Sequence, residues 1–519
     1  MIRARWTFGV LLFALLLPLC VGLSRWPFDD AYIHLRVAEN LASGLGPYYS
    51  AGEQIAASSS PLWSVLLAAL SKVGLAAPVV IASVNALLLA LGALFACGAL
   101  FVRAPSTLQR GIEVGFGLLY CALLLPSAAG LMETPLALAL AFVALYAIRH
   151  ERGWGFALLG LAAGVRFEML GFAIAVIVVR ALQRKRLSWR ELGAWAAGCA
   201  PWLIYQLVAF GQIFSSTIGA KAEVYQLTAL EAWRLAVAFF APSWPAAISS
   251  GGRGHSYLLW ILIGSGLLLC AAIVRRTEKH WALAVSVGLA AIGLIGVYLV
   301  SGTLVFPWYS PLVLVPLAAA TLSVAQRSHR ALAVIALLSW MPFVIELAPS
   351  ASAVLLNRPD DYRYFRVNAR AGQYLQVGEA LFEAYPTATL LSSEVGALGY
   401  GFRGPILDAV GLTSTGVSEF HPLSVPQERP AGWVGAIPPA LVEQRHPELI
   451  VSLELFSGAL RQSDILRSYQ HLSLPIYTEA DRRAFGADAV PPLWGGTRLD
   501  LWIRGDLDRS RFDAAFAKE

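Results

Sequence analysis

Two adjacent carboxylates, Asp29 and Asp30, directly follow a leucine-rich run that is long enough to enter a bilayer. Carboxylates at such a position are costly unless they have a function or lie in water. In a group transfer, Asp29 could act as a general base on an attacking hydroxyl. Asp30 could orient Asp29 or bind a divalent cation such as Mg²⁺, Mn²⁺ or Ca²⁺. The structural alternative is an N-cap before the helical pattern AYIHLRVAENLA, although a cap needs only one Asp.

The composition indicates a protein that is solvated largely by lipid. Of its 519 residues, 57% are hydrophobic and 14% are charged, whereas soluble proteins carry about 25% charged residues. The five cysteines lie within apolar runs and lack metal-ligand spacing, which argues against a disulfide or zinc framework. The net charge is +6, but the basic residues form short clusters between apolar runs and no continuous patch, so we expect no nucleic-acid partner.

The apolar runs and the charges between them predict a topology. Runs long enough, or nearly so, to span ~30 Å of hydrocarbon fall near 6–23, 78–102, 112–130, 134–149, 154–165, 169–183, 192–210, 256–274, 281–300, 311–325 and 331–348. If all of them cross, six basic clusters share one side, which the positive-inside rule makes cytoplasmic. These clusters are Arg3/Arg5, Arg103/Arg110, Arg149/Arg152, Arg184/Lys185/Arg186/Arg190, Arg275/Arg276/Lys279 and Arg327/Arg330. We therefore expect a cytoplasmic N-terminus, an uncleaved first span, and Asp29 and Asp30 outside the bacterial cytoplasmic membrane.

The chain divides into two parts by pattern. Residues 1–348 hold the apolar runs and a large first outer loop over 24–77, in which 61–75 resembles an amphipathic helix at the membrane surface. From 349 to 519, the stretches TATLLSSEVGALGY, GPILDAVGL and HPELIVSLEL combine strand-like apolar runs with glycine turns. We therefore predict a soluble, extracytoplasmic α/β domain over 349–519.

Several motifs resemble, in their order, those of GT-C-fold membrane glycosyltransferases. The stretch from DDAYIHLRVAENLASGLG to SSSPLW is similar to the first outer loop of that fold, and most similar to the group around the mycobacterial arabinofuranosyltransferase that adds terminal cell-wall residues. Further matches follow in GLMETPLALAL, LAAGVRFEMLGF, IFSSTIGAKAEVY, FPWYSPLVLVPL and GALGYGFRGPILDAVGLT. Two stretches depart from the group: Arg166-Phe167-Glu168 stands where Arg-Pro-Glu is usual, and SSTIG stands where Asn-Thr-Phe-Tyr is usual. The second departure lies beside the expected substrate surface, so we expect the sugar or the acceptor to differ from the group's own.

The resemblance implies a polytopic α-helical membrane protein with a GT-C-like fold of about eleven transmembrane helices, followed by the α/β domain. It implies an enzyme that moves a sugar from a polyprenyl-phosphate donor to a cell-envelope glycan, lipid or protein on the outer face of the membrane. The donor phosphate needs cations, for which Lys221 is the first choice and Arg166, Arg253 and His255 are the others. The remaining site candidates are His34, Arg36, Glu133, Glu168 and Tyr309.

Each of these candidates also has a purely structural interpretation. Arg166 can form an ion pair with Glu168, Glu133 can cap the next helix, and Tyr309 can belong to the aromatic belt at the membrane surface. Two other functions also remain open: a lipid or sugar transporter (flippase), and a non-catalytic envelope assembly protein. Transporters tend to show repeated halves and charges in the middle of spans, and the sequence shows neither clearly. The partners we expect are the lipid-linked donor, membrane lipids and an envelope acceptor.

Overall fold

The computed structural model describes a largely helical chain with a mixed β-sheet towards its C-terminal end. The described residues are 2–50, 52–102, 106–225, 281–301, 307–327, 366–423, 436–485 and 498–518, with the isolated residues 265, 334, 336–341, 345 and 352. The helices and strands named below all belong to these residues.

The helices precede and flank the strands along the chain. The helices are α1 Ile2–Leu23, α2 Asp29–Ala42, α3 Pro61–Lys72, α4 Pro78–Leu100, α5 Thr107–Ala129, α6 Thr134–Arg149, α7 Trp154–Val165, α8 Met169–Arg184, α9 Trp189–Phe210, α10 Thr217–Tyr225, α11 Trp281–Ser301, α12 Ser310–Gln326, α13 Arg370–Ala384, α14 Ala397–Phe402, α15 Pro439–Arg445, α16 Gly458–Arg461, α17 Glu479–Phe485 and α18 Ser510–Phe516. The strands are β1 Leu390–Ser392, β2 Ile406–Asp408, β3 Leu449–Leu453, β4 Tyr469–Pro475 and β5 Arg498–Arg504.

Four helices of the described residues are long and apolar enough to cross a membrane: Trp6–Leu23 within α1, α4, α5 and α9. The shorter helices α6, α7, α11 and α12 are apolar as well. A segment that crosses lipid must satisfy its own backbone hydrogen-bonding groups, as an α-helix does. Several apolar helices of this kind therefore indicate a multi-pass membrane protein. Helices lie at nine of the predicted spans. Of the run 256–274 only residue 265 is described, and of the run 331–348 only residues 334, 336–341 and 345 are described, so a total of eleven crossings stays a prediction.

Glycines allow α7 and α9 to pack closely. A Cβ atom added at Gly198 of α9 would lie 1.9 Å from the Ala157 carbonyl oxygen of α7, and one added at Gly160 would lie 2.4 Å from the Trp195 carbonyl oxygen. Small residues at helix interfaces are typical of membrane proteins, where close backbone contact replaces the hydrophobic drive. The α7–α9 contact therefore sets the position of the short turn that follows α7.

Basic residues from three of the predicted cytoplasmic clusters meet at one end of the helices. Arg149 donates through Nη1 to three carbonyl oxygens at the end of α4, the shortest contact being 2.7 Å, and Arg327 donates to a fourth at 2.7 Å. These contacts satisfy carbonyls that a helix end leaves unpaired. Arg184 pairs with Glu151 at 2.8 Å in the same group of loops. The loops that join α1 to α2, α5 to α6 and α7 to α8 lie at the opposite end.

The strands form a five-stranded sheet in the order β2-β1-β3-β5-β4. β1 is parallel to both β2 and β3, whereas β5 runs antiparallel between β3 and β4. All five residues of β3, LIVSL, are buried, as expected for a central strand covered on both faces. The three predicted strand-like stretches contain β1, β2 and β3. The boundary of a separate soluble domain at residue 349 stays a prediction.

Residues 24–77, the predicted outer loop, pack against the segment that follows β1. Tyr49 donates through its hydroxyl to the Val395 carbonyl oxygen, and Tyr400 of α14 donates to the Glu39 carboxylate of α2. Glu53 Oε2 accepts from both the backbone N–H (3.0 Å) and the hydroxyl (2.7 Å) of Thr415. These contacts join residues that lie more than 340 positions apart in the chain, and they place the carboxyl end of β1 beside the start of α2.

Candidate active site

The carboxylate pair occupies the first turn of α2. The helix begins at Asp29, and Phe28, at the N-cap position, makes no side-chain cap. Neither aspartate therefore caps the helix, although both gain from its dipole. Asp29 is 7% exposed, and its Oδ1 accepts from the Ala397 backbone N–H of α14 at 2.8 Å. Burial raises the pKa of Asp29 to about 6, against the lowering effects of Arg370 and this hydrogen bond.

Asp30 faces a lysine from a distant part of the chain. Its Oδ2 lies 3.9 Å from Lys221 Nζ of α10, and the two side chains are 23% and 13% exposed. Lys221 Nζ also donates to the Tyr309 hydroxyl at 3.4 Å. Burial lowers the pKa of the Lys221 ammonium, but Tyr309 and Asp30 outweigh this effect and raise it. The lysine therefore keeps its charge near the carboxylate pair.

Arg166 is held by two carboxylates. Its Nη1 lies 2.6 Å from Glu133 Oε1, and its Nη2 lies 2.5 Å from Glu168 Oε1. Tyr298 donates to the same Glu168 oxygen at 3.0 Å, and the Tyr309 ring lies 4.4 Å from the guanidinium carbon. Arg166 is 2% exposed, so it is a buried and already compensated charge. The ion pair with Glu168 that the sequence left open is present, and Glu133 is a second partner.

Glu133 joins Arg166 to a histidine of α2. His34 Nε2 lies 3.5 Å from Glu133 Oε2, and His34 Nδ1 is 2.9 Å from the Ser58 hydroxyl. Burial alone would raise the pKa of Glu133, but Arg166 and His34 lower it to about 2. Glu133 Oε1 has a close partner in Arg166, whereas Glu133 Oε2 is buried without a hydrogen-bond partner among the described residues. These contacts tie the segment between α5 and α6 to α2, the helix that carries the carboxylate pair.

The structure brings most of the sequence-derived candidates into one region, at the helix ends opposite the basic clusters. Tyr309 contacts both Arg166 and Lys221 and so connects the two groups of charges. Arg36 lies elsewhere on α2, where it donates to the Tyr49 carbonyl oxygen at 2.9 Å and to the Gly399 carbonyl oxygen. Arg253 and His255 fall outside the described residues. The candidates that share the region are Asp29, Asp30, His34, Glu133, Arg166, Glu168, Lys221 and Tyr309.

Three residues near Asp29 were not predicted from the sequence. Arg370 at the start of α13, Tyr374 one turn later and Glu394 after β1 interact electrostatically with one another and with Asp29. Burial raises the pKa of Glu394 to about 8, against the lowering effect of Arg370. Nothing in the local pattern around these residues marks them. The sequence signal that pointed to this region was Gly396, within the matched GALGYGF stretch. The structure shows why a glycine stands there: a Cβ atom would lie 2.3 Å from the Asp29 carbonyl oxygen.

The side chains around Asp30 do not resemble a metal site. Among the residues that the structure describes, no group of three or more His, Cys, Asp or Glu side chains is arranged to hold a metal ion. The cation beside Asp30 is the Lys221 ammonium, which occupies the place where a divalent ion would compensate the carboxylate. The residues present do not fit a divalent cation at Asp30, and no step below depends on one.

Comparison with known proteins gives limited matches. A family described as a domain of unknown function (DUF8728) matches residues 362–491, a stretch that holds β1 to β4. No curated protein matches the chain. Among solved structures, the chain is similar to ArnT from Cupriavidus metallidurans bound to undecaprenyl phosphate. The two share 13% identity and a TM-score of 0.49 over 95% of this chain and 97% of ArnT. Neither the identity nor the TM-score is high enough to establish a common fold.

Proposed function

We propose that the protein is a GT-C-type glycosyltransferase of the bacterial cytoplasmic membrane. It moves a sugar from a polyprenyl-phosphate donor to a cell-envelope glycan, lipid or protein, and the reaction takes place on the outer face. The proposal rests on the ordered motifs of the sequence and on one observation in the structure, the 3.9 Å approach of Lys221 to Asp30 beside Asp29. Sugar, acceptor and stereochemistry stay open.

Lys221 is the residue that we assign to the donor phosphate. A departing polyprenyl phosphate is an anion, and a partly buried ammonium stabilises it more than one in bulk water would. The charge of Arg166 is already compensated by its two carboxylate partners, which leaves Lys221 as the cation that can serve the phosphate. Tyr309 lies between the two cations and fixes their separation. The phosphate is therefore expected next to Lys221 and the Tyr309 hydroxyl.

Asp29 is the carboxylate that we assign as the general base. In a direct displacement, the acceptor hydroxyl approaches the anomeric carbon from the face opposite the phosphate. Asp30 is the carboxylate beside Lys221, so it belongs to the phosphate side and orients the lysine. A pKa of about 6 leaves Asp29 ionised yet basic near neutral pH. As the sugar–phosphate bond breaks, the acceptor oxygen bonds to the anomeric carbon and its proton passes to Asp29.

The proposal is tested with the purified full chain in detergent or nanodiscs. A panel of polyprenyl-phosphate sugars is offered together with envelope acceptors, and the products are identified by mass spectrometry. We expect transfer from at least one donor by the wild type and none by heat-inactivated protein. Release of free sugar or movement of donor between leaflets, without a new glycosidic product, would favour a transporter. The absence of both would favour an assembly protein and contradict the proposal.

A further inference from the structure

We infer that a cavity at the β4–β5 edge of the sheet is a binding subsite for a neutral oligosaccharide. The cavity has a volume of about 500 Å³ and is lined by residues of β4, β5 and α16 and by residues that flank α16. Cavities that bind small molecules usually measure about 300–1,000 Å³. That the bound glycan is also the acceptor of transfer rests on the proposed function, whereas the binding itself does not.

A buried aspartate holds the polar side chains that line the cavity. Asp500 of β5 is 1% exposed, its Oδ2 pairs with Arg461, and its Oδ1 lies 2.9 Å from His471 Nε2. Arg461 Nη1 in turn lies 3.3 Å from Glu454 Oε1. These contacts fix the directions of the lining side chains before a ligand arrives, and this lowers the entropy cost of binding.

The cavity offers hydrogen-bond donors and acceptors side by side. A guanidinium carries five N–H donors, and the recorded contacts of Arg461 and Arg498 use only part of theirs. Glu454 supplies a partly exposed carboxylate as an acceptor. The Asp500 carboxylate favours the His471 tautomer that carries its proton on Nε2, which leaves Nδ1 as a second acceptor. Sugar hydroxyls both donate and accept, so they match this mixture.

The balance of charge in the lining argues against an ionic ligand. The two guanidinium groups of Arg461 and Arg498 are offset by the carboxylates of Glu454 and Asp500. An anion in the cavity would lie near the carboxylates, and a cation would lie near the guanidinium groups, and like charges brought together cost free energy. A neutral molecule with many hydroxyl groups meets neither repulsion.

One wall of the cavity is a pair of stacked rings. The His471 imidazole lies on the Trp502 indole, with ring centroids 5.2 Å apart and an angle of 27° between the planes. Trp502 is buried, whereas the His471 side chain is 48% exposed, so the indole supports a flat ring that a ligand can reach. The face of an aromatic ring is partly negative, and it attracts the C–H groups on one face of a sugar ring.

The strand order sets the distance between this cavity and the carboxylate pair. β1, whose carboxyl end lies beside α2, is three strands away from β4. A row of register partners crosses the sheet at this level, from Ser452 of β3 through Asp500 of β5 to Ser473 of β4, and Ser452 Oγ lies 3.2 Å from Ser393 Oγ directly after β1. With neighbouring strands about 4.8 Å apart, the row is about 14 Å long. An acceptor that contacts both places is therefore an oligosaccharide.

The first test is the binding of neutral trisaccharides of glucose, mannose, galactose and arabinose to the purified full chain without donor, measured by calorimetry. We expect at least one to bind, and Arg498→Ala to raise its Kd about 10- to 100-fold through lost hydrogen bonds to a charged group. Arg498 is exposed, so the variant should keep the wild-type Tm. No binding of any trisaccharide, or an equal Kd in Arg498→Ala, would overturn the inference.

The matched control is a neighbouring arginine outside the cavity. Arg467 follows a lining residue, Leu466, but is 80% exposed and pairs with the equally exposed Asp464. Arg467→Ala removes the same charge from the same surface and should keep the wild-type Kd. A Kd raised as much as in Arg498→Ala would show a general charge effect and contradict the inference.

Inorganic phosphate and spermidine test the two ionic alternatives in the same experiment. Neither should displace the bound trisaccharide at equal concentration, and displacement by either would contradict a neutral-glycan site. Glu454→Ala should raise the Kd of the trisaccharide about tenfold, because an acceptor is lost. An anion site would respond in the opposite direction, so tighter binding of phosphate by Glu454→Ala than of the trisaccharide would overturn the inference.

The transfer assay separates failure of the inference from failure of the proposed function. Arg498→Ala should raise the KM for an oligosaccharide acceptor about 10- to 100-fold and leave the KM for the polyprenyl-phosphate donor unchanged. An unchanged acceptor KM would overturn the acceptor role of the cavity and leave the proposed function intact. Trisaccharide binding that depends on Arg498, without transfer from any donor, would overturn the proposed function and leave the cavity a glycan-binding site.

Discussion

Lys221 and Arg166 both lie beside Tyr309, yet their surroundings give them different roles. Lys221 faces one carboxylate at 3.9 Å, whereas Arg166 is buried between two carboxylates at 2.6 Å and 2.5 Å. A charge that is compensated twice has little attraction left for a phosphate, and one that is compensated once at a longer distance has more. The sequence made both residues candidates for the donor phosphate, with Lys221 the first choice, and their partners give a physical reason for that order.

Replacement of Lys221 should mainly weaken donor binding. We expect Lys221→Ala to raise the KM for the polyprenyl-phosphate donor about 10- to 100-fold, the equivalent of one lost charge-assisted hydrogen bond, with a smaller effect on kcat. Lys72 is the matched control, because it lies in the outer loop and donates only to the Ala42 carbonyl oxygen among its described contacts. Lys72→Ala should leave the KM unchanged. An unchanged donor KM in Lys221→Ala would remove this residue from the site.

Replacement of Arg166 should mainly destabilise the fold. Arg166→Ala leaves Glu133, which is 0% exposed, without its closest cation, and breaking a buried ion pair costs about 3–5 kcal/mol. We expect a clear drop in the Tm of the detergent-solubilised protein. The control is Arg467→Ala, whose partner Asp464 is 82% exposed and whose loss should leave the Tm unchanged. Similar Tm values for both variants would contradict the buried-pair interpretation.

The acid side of the pH profile reports on Asp29. A general base works only when it is deprotonated, and burial raises the pKa of Asp29 to about 6. The kcat/KM should therefore fall about tenfold for each pH unit below 6, whereas an ordinary exposed aspartate would keep activity down to about pH 4. The measurement is kcat/KM from pH 4.5 to 7. A profile that stays flat to pH 4.5 would show that Asp29 does not act as the base.

At the scale of elements, the docking of α14 on α2 decides the position of Asp29. A Cβ at Gly396 would lie 2.4 Å from the Asp29 carboxyl carbon, so Gly396→Ala must displace one of the two segments. A misplacement of about 1 Å can cost about 10²-fold in rate. We expect a loss of that order in kcat, measured in the transfer assay. Gly193→Ala in α9, where a Cβ meets nothing within 4 Å, is the control and should retain activity. Full activity in Gly396→Ala would contradict the docking.

The elements differ in how far the sequence predicts them. Long apolar runs mark α4 and α5, and glycine-bounded strand patterns mark β1 to β3. Burial in lipid, or in the central sheet positions of β1 and β3, requires uninterrupted apolar residues. β5 has the sequence RLDLWIR and was not predicted. It carries Asp500, 1% exposed, in the middle of the sheet, where Arg461 forms an ion pair with it and His471 Nε2 lies 2.9 Å from Oδ1. A local pattern does not reveal partners that arrive from elsewhere in the chain.

The same limit applies to the site. The sequence placed Asp30, Lys221 and Arg166 on one side of the membrane because charge alternation is a local property of loops. It did not reveal Arg370 or Glu394, because their relation to Asp29 depends on a contact across 368 positions, between Asp29 and Ala397. Their residue types are also common on soluble surfaces. Only the packing of the outer loop on the sheet makes them neighbours of the carboxylate pair.

At the scale of the whole molecule, two opposite ends of the helices carry different chemistry. Basic residues such as Arg149 and Arg184 satisfy helix ends and acidic partners at one end, and the carboxylate pair with Lys221 lies at the other. The positive-inside rule assigns the basic end to the cytoplasm. The candidate site and the sheet would then face outward, where a lipid-linked donor is accessible and nucleotide sugars are not.

This orientation is tested by labelling single cysteines in intact cells. Gln54 in the outer loop, Gln462 beside the sheet and Gln183 at the basic end are all exposed, and the native cysteines of the described residues are buried. A membrane-impermeant maleimide should label Gln54→Cys and Gln462→Cys and should leave Gln183→Cys unlabelled until the cells are lysed. Labelling of Gln183→Cys in intact cells would reverse the orientation.

The most direct test of the account is sugar transfer by Asp29→Asn. Asparagine keeps an oxygen that can accept the Ala397 N–H, so the docking of α14 should survive while the base is lost. We predict that wild-type protein forms a glycosidic product from a polyprenyl-phosphate sugar. Asp29→Asn should lose at least ~10²-fold in kcat at an unchanged Tm. A folded Asp29→Asn protein that transfers sugar at the wild-type rate would contradict the account.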